Sequence, residues 1–529
     1  MISNQKSMAV PDNDLKFVYM FTLAFFILTL FNIFHHEMWR DELEAWVMAR
    51  DAGSLHELFK NIRYQGHPML WHLILFPITK ITRNPVAMQM AHIVIATASA
   101  FIFLRFAPFN KLLRGLFIFG YFPFFEYAVI SRDYALGILF LFLFIVYFLK
   151  DSKHRNYILL SAVLFLMCQC NAMSMVLAIA LAITAYFEPI LLKNFTLYKS
   201  WQFYTSILIF AAGLAVSIIL TKPPSDSYWY HPVIFASNIP EKIADQISEI
   251  WNVFVPVPRF EMVFWLTNFL SYLPVEKEMR YMIRLIISLG LLLFTFCIVF
   301  RRKIPALFYI SSVLGVTSFC YIFFEGSLRH KGHYYFAFVA AVWISKYYQA
   351  EEFINPFLNN FFIFFERNRD RLLTLIFSAG VIAALTANTL DYIYQFSESR
   401  ETANYIKQNN WQNMPVSGFW DFAATGVMAY LDRPFYSPVT DRTGTFTVWK
   451  AQHRTESVDV LKATEKYMNS VKSDVLLVFN SPVKNYEIQQ YGLIPLKQFT
   501  KSVVKSEKFY LYVMRYYENP APKINNSTN

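Results

Sequence analysis

Eleven apolar stretches, each near the length of a membrane-crossing helix, dictate what this 529-residue chain can become. They lie at about 16–34, 86–106, 115–130, 134–149, 157–171, 174–192, 202–221, 281–300, 304–324, 333–349 and 372–392. A helix needs roughly 20 predominantly apolar residues to cross a bilayer. In hydrocarbon the backbone has no partner but itself, so spanning segments must be helices or closed barrels. Charged residues make up 16% of the chain, against about 25% in an ordinary soluble domain, and the mean hydropathy is +0.33. A soluble enzyme, a disordered chain and a disulfide-knit secreted domain are thereby excluded. The expected fold is mainly α, a polytopic membrane helical bundle.

A twelfth candidate, 68–82, is short, opens on Pro68 and contains Pro77. Charge decides its status. The loops at 105–114, 150–156, 193–201, 301–304 and 346–371 carry 15 Lys/Arg in 56 residues. That is more than twice the basic density of the set at 35–84, 131–133, 222–280 and 325–332. The first set is therefore expected in the cytoplasm and the second outside. With a cytoplasmic N-terminus, parity requires that 68–82 dips into the outer face as a half-helix without crossing. An external N-terminus would instead make it cross and put 35–66 inside. The first run follows Lys6 and Lys16 with no small-residue cleavage site after it, so it reads as an uncleaved anchor. The net charge of +11 is absorbed by the cytoplasmic loops and calls for no nucleic acid. Cys168, Cys170, Cys297 and Cys320 sit in apolar runs and read as small core hydrophobes.

After residue 392 the composition turns polar. VSGFW (416–420), DVLLVF (474–479) and KFYLYVMRYY (508–517) read as buried strands and 398–410 as a helix, ending in a disordered tail. Two domains are expected: a membrane domain at 1–392 and a small extracytoplasmic α/β domain at 393–529. No P-loop or GxGxxG stretch occurs, and the longest cytoplasmic segment, 346–371, leaves no room for a nucleotide-binding domain. Any chemistry is expected outside or in the lipid.

The first outer loop, His35 to His72, is the most informative segment. Trp39, Leu43, Trp46 and Val47 fall at helical spacing, which predicts an amphipathic helix over 39–50 lying at the membrane surface. Ser54 and Glu57 form a capping box for a second short helix, and Gly66–His67–Pro68 is a turn. Asp41 and Glu42 then occupy a first helical turn, where the dipole favours acids. That placement alone makes ordinary N-terminal helix acids of them. Against it, Trp39 and Trp46 at a lipid surface would strip their hydration and raise their basicity, and five of the chain's 11 histidines crowd this loop and its exit (His35, His36, His56, His67, His72). Two further outer points carry charge: the tight turn Ser131–Arg132–Asp133–Tyr134, and Arg329–His330–Lys331–Gly332–His333, whose cationic groups around one glycine suit a phosphate. Snorkelling of basic side chains explains the second equally well. Tyr228–Trp229–Tyr230–His231 reads as an interfacial belt or a sugar-stacking surface. Of Trp411, Trp420, Asp421 and Trp449, the first two read as core and the others as glycan contacts.

At these residues the chain resembles the GT-C membrane glycosyltransferases, in particular the bacterial protein O-mannosyltransferases and the aminoarabinose transferases. The Asp-Glu pair of the family's first outer loop is matched by Asp41–Glu42. The basic residue and Pro that open its dipping segment are matched by His67–Pro68, with His in place of the commoner Lys. Its second outer acid is matched by Tyr127–Ala128–Val129 leading to Asp133. The resemblance implies an inverting transfer of a sugar from a polyprenyl-phosphate donor to a glycan, lipid or protein acceptor, on the outer face of a bacterial inner membrane. It makes Asp41 the general base, Glu42 its orienting or acceptor-binding partner, and Asp133 with Arg132 substrate-positioning residues. His67, Arg329, His330 and His333 would offset charge on the leaving lipid phosphate. A divalent metal occurs in some members, but no HExxH motif assigns one here. The competing readings are a transporter or flippase of lipid-linked glycans, which would place charges near mid-membrane, and a non-catalytic scaffold for the C-terminal domain.

Overall fold

The structure, a computed structural model, describes residues 14–150, 155–228, 239–450 and 459–517. Trp229, Tyr230 and His231 and the tail lie outside them. The chain opens with α1 (Leu15–His35), then α2 (Arg40–Asp51), α3 (Leu55–Ile62) and α4 (Leu70–Ile81), followed by α5 (Val86–Phe106) and α6 (Lys111–Ile118). The bundle continues through α7 (Tyr134–Phe148), α8 (Tyr157–Cys168), α9 (Ala172–Leu191) and α10 (Trp201–Thr221). Short α11 (Ile239–Ser248) and α12 (Trp251–Phe254) precede α13 (Lys277–Val299), α14 (Lys303–Ile322), α15 (Leu328–Ser345) and α16 (Pro356–Ile393).

Among the described residues, seven helices are long and apolar enough to cross a membrane: α1, α5, α9, α10, α13, α14 and α16. The protein is a multi-pass membrane protein. The other four expected spans are present in altered form. Those at α7 and α8 are helices of 15 and 12 residues, and the one at α15 is opened by the polar turn Arg329–His333. The run 115–130 breaks into α6 and a π-turn at Tyr121–Glu126. Pro123 inside that turn has no N–H to give to an α-helical ladder. α16 also differs from expectation. It starts at Pro356 inside the supposed loop 346–371, because Asn355 Oδ1 accepts from Phe357 N and Leu358 N and Pro356 fits the first helical position. Its 38 residues make it about 57 Å long at 1.5 Å per residue.

α4, 12 residues and about 18 Å long, stays beside the first loop at its far end. Lys80 Nζ donates to Arg50 O (3.2 Å) and Ala52 O (2.6 Å) at the end of α2. The helix over 39–50 forms as expected, but protein covers it instead of lipid. Leu43, Trp46 and Val47 are fully buried with Leu58, Trp71 and Leu75 of α3 and α4 and Ala429 of the C-terminal domain. Ser54 Oγ caps α3 by accepting from Glu57 N (3.2 Å), while the Glu57 carboxylate reaches back to Gly53 N (2.8 Å) and not to Ser54.

The C-terminal part holds α17 (Ser399–Gln408), α18 (Asp421–Leu431), α19 (Val460–Val471) and α20 (Asn485–Gln490) around a six-stranded sheet. Its strands are β1 (Val416–Phe419), β2 (Phe435–Ser437), β3 (Arg442–Gly444), β4 (Val475–Phe479), β5 (Ile494–Phe499) and β6 (Phe509–Met514), in the order β3-β2-β1-β4-β6-β5. β1 lies parallel to β2 and β4, and the other pairs are antiparallel. The three buried strands and the helix read from sequence all form. The short β2 and β3 and the largely exposed β5 complete the sheet. Ion pairs fix this part to the first loop: Arg50 and Arg83 on Asp432 (3.1 and 2.5 Å) and Arg400 on Glu37 (2.8 Å).

Candidate active site

α2 places its two N-terminal acids in opposite environments. Glu42 points inward and has no exposure. Its Oε2 accepts from Trp39 N (3.1 Å) and meets His36 Nε2 (3.1 Å), and its Oε1 accepts from Ser131 N (2.6 Å). His36 Nδ1 in turn meets Asp391 Oδ2 at 2.9 Å, at the end of α16. Burial alone would push His36 down, but Asp391 and Glu42 outweigh it and raise the ring to about 10. The imidazolium therefore stands between two carboxylates. Glu42 spends its oxygens on the α1–α2 link, the turn at Ser131 and this cation, and is fully buried.

Asp41 faces the opposite way, with 22% of its side chain exposed. Its Oδ2 takes two guanidiniums, Arg132 Nη1 at 2.8 Å and Arg329 Nη2 at 3.1 Å, and Arg40 Nε stands 3.5 Å from Oδ1. Burial pushes Asp41 up, but Arg132, then Arg329 and Arg40, outweigh it and hold the carboxyl below its ordinary range. The raised basicity expected from the tryptophans is thus reversed: the dominant neighbours are cations, and sequence spacing did not show them. Trp39 and Trp265 instead both adjoin Arg329, whose Cζ lies 5.2 and 5.5 Å from the two ring centres. Arg329 Nε and Nη1 and Trp39 Nε1 are buried without a hydrogen-bond partner. Unmade buried donors are costly, and here they cluster around one cation.

The other expected site residues divide. Asp133 precedes α7, nearly buried, with Oδ1 unpartnered; burial raises its carboxyl to about 6 against the pull of Arg132 and Arg329. His67 follows Gly66, which holds φ +66° as few residues but glycine can. Burial first, then Arg132, pushes the His67 ring down to about 4, so it is a neutral group near Asp41 and not the expected cation. His330 is occupied elsewhere: its Nδ1 accepts from Ser327 N (3.0 Å) and closes the cap of α15. His333 is fully buried, with Nδ1 on His330 O (2.9 Å) and its ring beside Tyr127 and Tyr134. Of the five expected phosphate ligands, Arg132 and Arg329 pair directly with Asp41.

Several residues at the site carried no expectation. Glu44, one turn beyond Asp41, is raised to about 8 by burial and then by Asp41; its i+3 spacing from Asp41 was the available signal. Gln65 Nε2 donates to Glu44 Oε1 (3.2 Å) and to Thr447 O (3.1 Å), joining α2 to the C-terminal domain. Arg40 Cζ lies 4.2 Å from the centre of the Phe422 ring, which stacks on Trp449 (5.7 Å) and Trp420 (5.9 Å). Trp411 packs with Tyr405 in the domain core, as expected. Beyond Gln65 opens a cleft of about 430 Å³ between α3 and the β2–β3 edge, lined by Lys60, Tyr64, Asp421, Arg442, Phe446 and Lys450 among others. Among the described residues, no three His, Cys, Asp or Glu side chains converge as a metal site.

Neither a family model nor a curated protein sequence matches the chain. Among solved structures it is similar to ArnT from Cupriavidus metallidurans in the apo state, at TM-score 0.50 and 12% identity over 95% of this chain and 98% of that one. The chain has the ArnT fold, of GT-C type. ArnT from the same organism bound to undecaprenyl phosphate is also similar, at TM-score 0.48 and 11% identity with the same coverage. At 95% coverage the likeness to apo ArnT takes in both the helical bundle and the C-terminal sheet.

Proposed function

We propose that this protein is a membrane glycosyltransferase that moves a sugar from a polyprenyl-phosphate donor to an acceptor hydroxyl on the extracytoplasmic face, with inversion. The observation that carries the reading is the Asp41 carboxylate held by two largely buried arginines, one of which keeps two unpaired N–H groups. A carboxylate beside spare guanidinium donors is what a single displacement needs. The carboxylate takes the acceptor's proton as its oxygen attacks the sugar's anomeric carbon, and the cations meet charge on the departing phosphate. One carboxylate acting once gives inversion.

Glu42 and His36 then act as positioning groups, Asp133 and Arg132 position the substrates, and neutral His67 lines the approach. The acceptor enters by the cleft between α3 and the C-terminal domain, whose wall at Tyr64 adjoins Gln65, the partner of Glu44. The sparse basic residues of 35–84, 131–133, 222–280 and 325–332 support an outer location for this face and a cytoplasmic N-terminus. The Asp41, Arg132 and Arg329 cluster stands at helix ends and turns, not midway along spans, which favours surface chemistry over the passage of a flippase.

The test is release of polyprenyl phosphate by the protein reconstituted in lipid, with a panel of polyprenyl-phosphate-linked hexoses and pentoses. Asp41→Asn is expected to lower turnover by roughly 10²–10⁴-fold with folding intact. Full activity in that variant would refute the assignment of Asp41 as base.

A further inference from the structure

Asp41 and Arg329 are poorly matched to their own tasks while they hold each other. A base must be free to accept a proton, and a phosphate ligand must be free to meet a phosphate. In the structure each occupies the other: Arg329 Nη2 lies 3.1 Å from Asp41 Oδ2, an oxygen that also carries Arg132 Nη1 at 2.8 Å. Arg329 gives one of its N–H directions to this contact and leaves Nε and Nη1 buried and unpaired. Its guanidinium lies against the edge-to-face pair of Trp39 and Trp265, whose ring centres are 5.0 Å apart and stand 5.2 and 5.5 Å from Cζ. Those rings hold the cation through its charge, not through directed hydrogen bonds, so the group can turn against them and remain held.

We propose that Asp41 is masked in the resting protein, and that the donor's phosphate unmasks it by drawing Arg329 off the carboxylate. The proposal rests on the glycosyltransferase reading above and adds an order of events to it. A phosphate offers several acceptor oxygens, and its bidentate fit to a guanidinium uses Nη2 together with either Nε or Nη1, so in taking up one of the orphaned N–H groups it also draws Nη2 off Asp41. Arg132, which is shorter to Asp41 and fixed in the turn before α7, stays and keeps the carboxylate aimed.

Asp41 then accepts the proton as the acceptor's O–H bond breaks and its oxygen bonds to the anomeric carbon. The bond from that carbon to the phosphate oxygen breaks, and its electron pair leaves with the polyprenyl phosphate on Arg329. When the lipid departs, Arg329 returns to Asp41 and the proton is expelled to water. Loss of one guanidinium raises the affinity of Asp41 for a proton, in line with the depression that Arg132 and Arg329 impose at rest. Donor binding therefore precedes productive acceptor binding.

The experiment is titration of the protein, in lipid nanodiscs, with undecaprenyl phosphate. Asp41→Asn removes the competing anion and is expected to bind at least about tenfold more tightly than wild type, about 1.4 kcal/mol, even though it does not turn over. Asp41→Glu keeps the charge and is expected to bind as wild type does. Arg329→Gln is expected to weaken binding and to erase the gain when combined with Asp41→Asn. If Asp41→Asn does not fold, Asp41→Ser must show the same tightening. Binding by Asp41→Asn no tighter than wild type, with Arg329→Gln still weakened, overturns the unmasking and leaves the donor reading standing. No binding of undecaprenyl phosphate by the wild-type protein overturns both.

Discussion

Replacing Glu42 separates a structural acid from a catalytic one, and the structure supplies the magnitude. The carboxylate is fully buried and accepts from two backbone N–H groups, Trp39 N and Ser131 N, while pairing with the His36 ring. Glu42→Ala strands all three donors. At about 1–3 kcal/mol for each of the two backbone donors left unmade, and about 3–5 kcal/mol for the broken buried ion pair, a loss of at least about 5 kcal/mol is expected. Glu42→Gln keeps one acceptor oxygen and turns its amide against donors, so it should lose somewhat less.

The pH dependence gives a second reading of the same network. His36 is raised from 6.5 to about 10 in the folded state, so its contribution to stability is complete below about pH 6.5 and fades as the pH rises through 10. With Glu42 gone, Asp391 alone supports the imidazolium, so the fall should be smaller and end at a lower pH. Thermal unfolding of the detergent-solubilised protein between pH 6 and 10, wild type against Glu42→Gln, measures both effects. A variant that melts like wild type across this range but has lost turnover would refute the reasoning, because Glu42 would then be touching substrate.

Three other outcomes follow from single features. Asp133 is raised from 3.8 to about 6 by burial, so the folded state loses stability as the pH rises through 6; Asp133→Asn should melt higher than wild type at pH 8 and no higher at pH 4. Gly66 holds φ +66° between α3 and α4, and Gly66→Ala should cost on the order of 1 kcal/mol and reduce turnover by moving His67, read by melting and by lipid-phosphate release. Lys60 and Arg442 line the cleft and lie apart from the Asp41 cluster. The double variant Lys60→Glu/Arg442→Glu should raise the KM for an acceptor with acidic groups, while undecaprenyl phosphate binds as before.

Much of the architecture was legible because bilayer physics is strict. Runs near 20 residues, a charge contrast between two sets of loops, and a polar segment after residue 392 required a helical bundle with a small α/β domain at its end. The Ser54 cap, the Gly66 turn and the helix bearing Asp41 were visible for the same reason: each depends on neighbours within a few positions. The four altered spans were less legible. Short α7 and α8 and the broken run at Pro123 find their partners in other helices, and hydropathy does not register a partner. Strands β2, β3 and β5 are short or exposed and lack the apolar signature that marked β1, β4 and β6.

The sequence by itself determined that an acid pair would stand at the start of a helix at one end of a membrane bundle. Only the tertiary structure decided what each acid is for. Adjacent positions on a helix point about 100° apart, so Asp41 and Glu42 had to face different surroundings, and those surroundings come from residues 91 to 350 positions further on. Arg132 and Arg329 converge on Asp41, and Asp391 closes on His36 behind Glu42. A charge in a low-dielectric site takes its character from whichever opposite charge lies within about 4 Å, and that distance is set by packing, not by order along the chain.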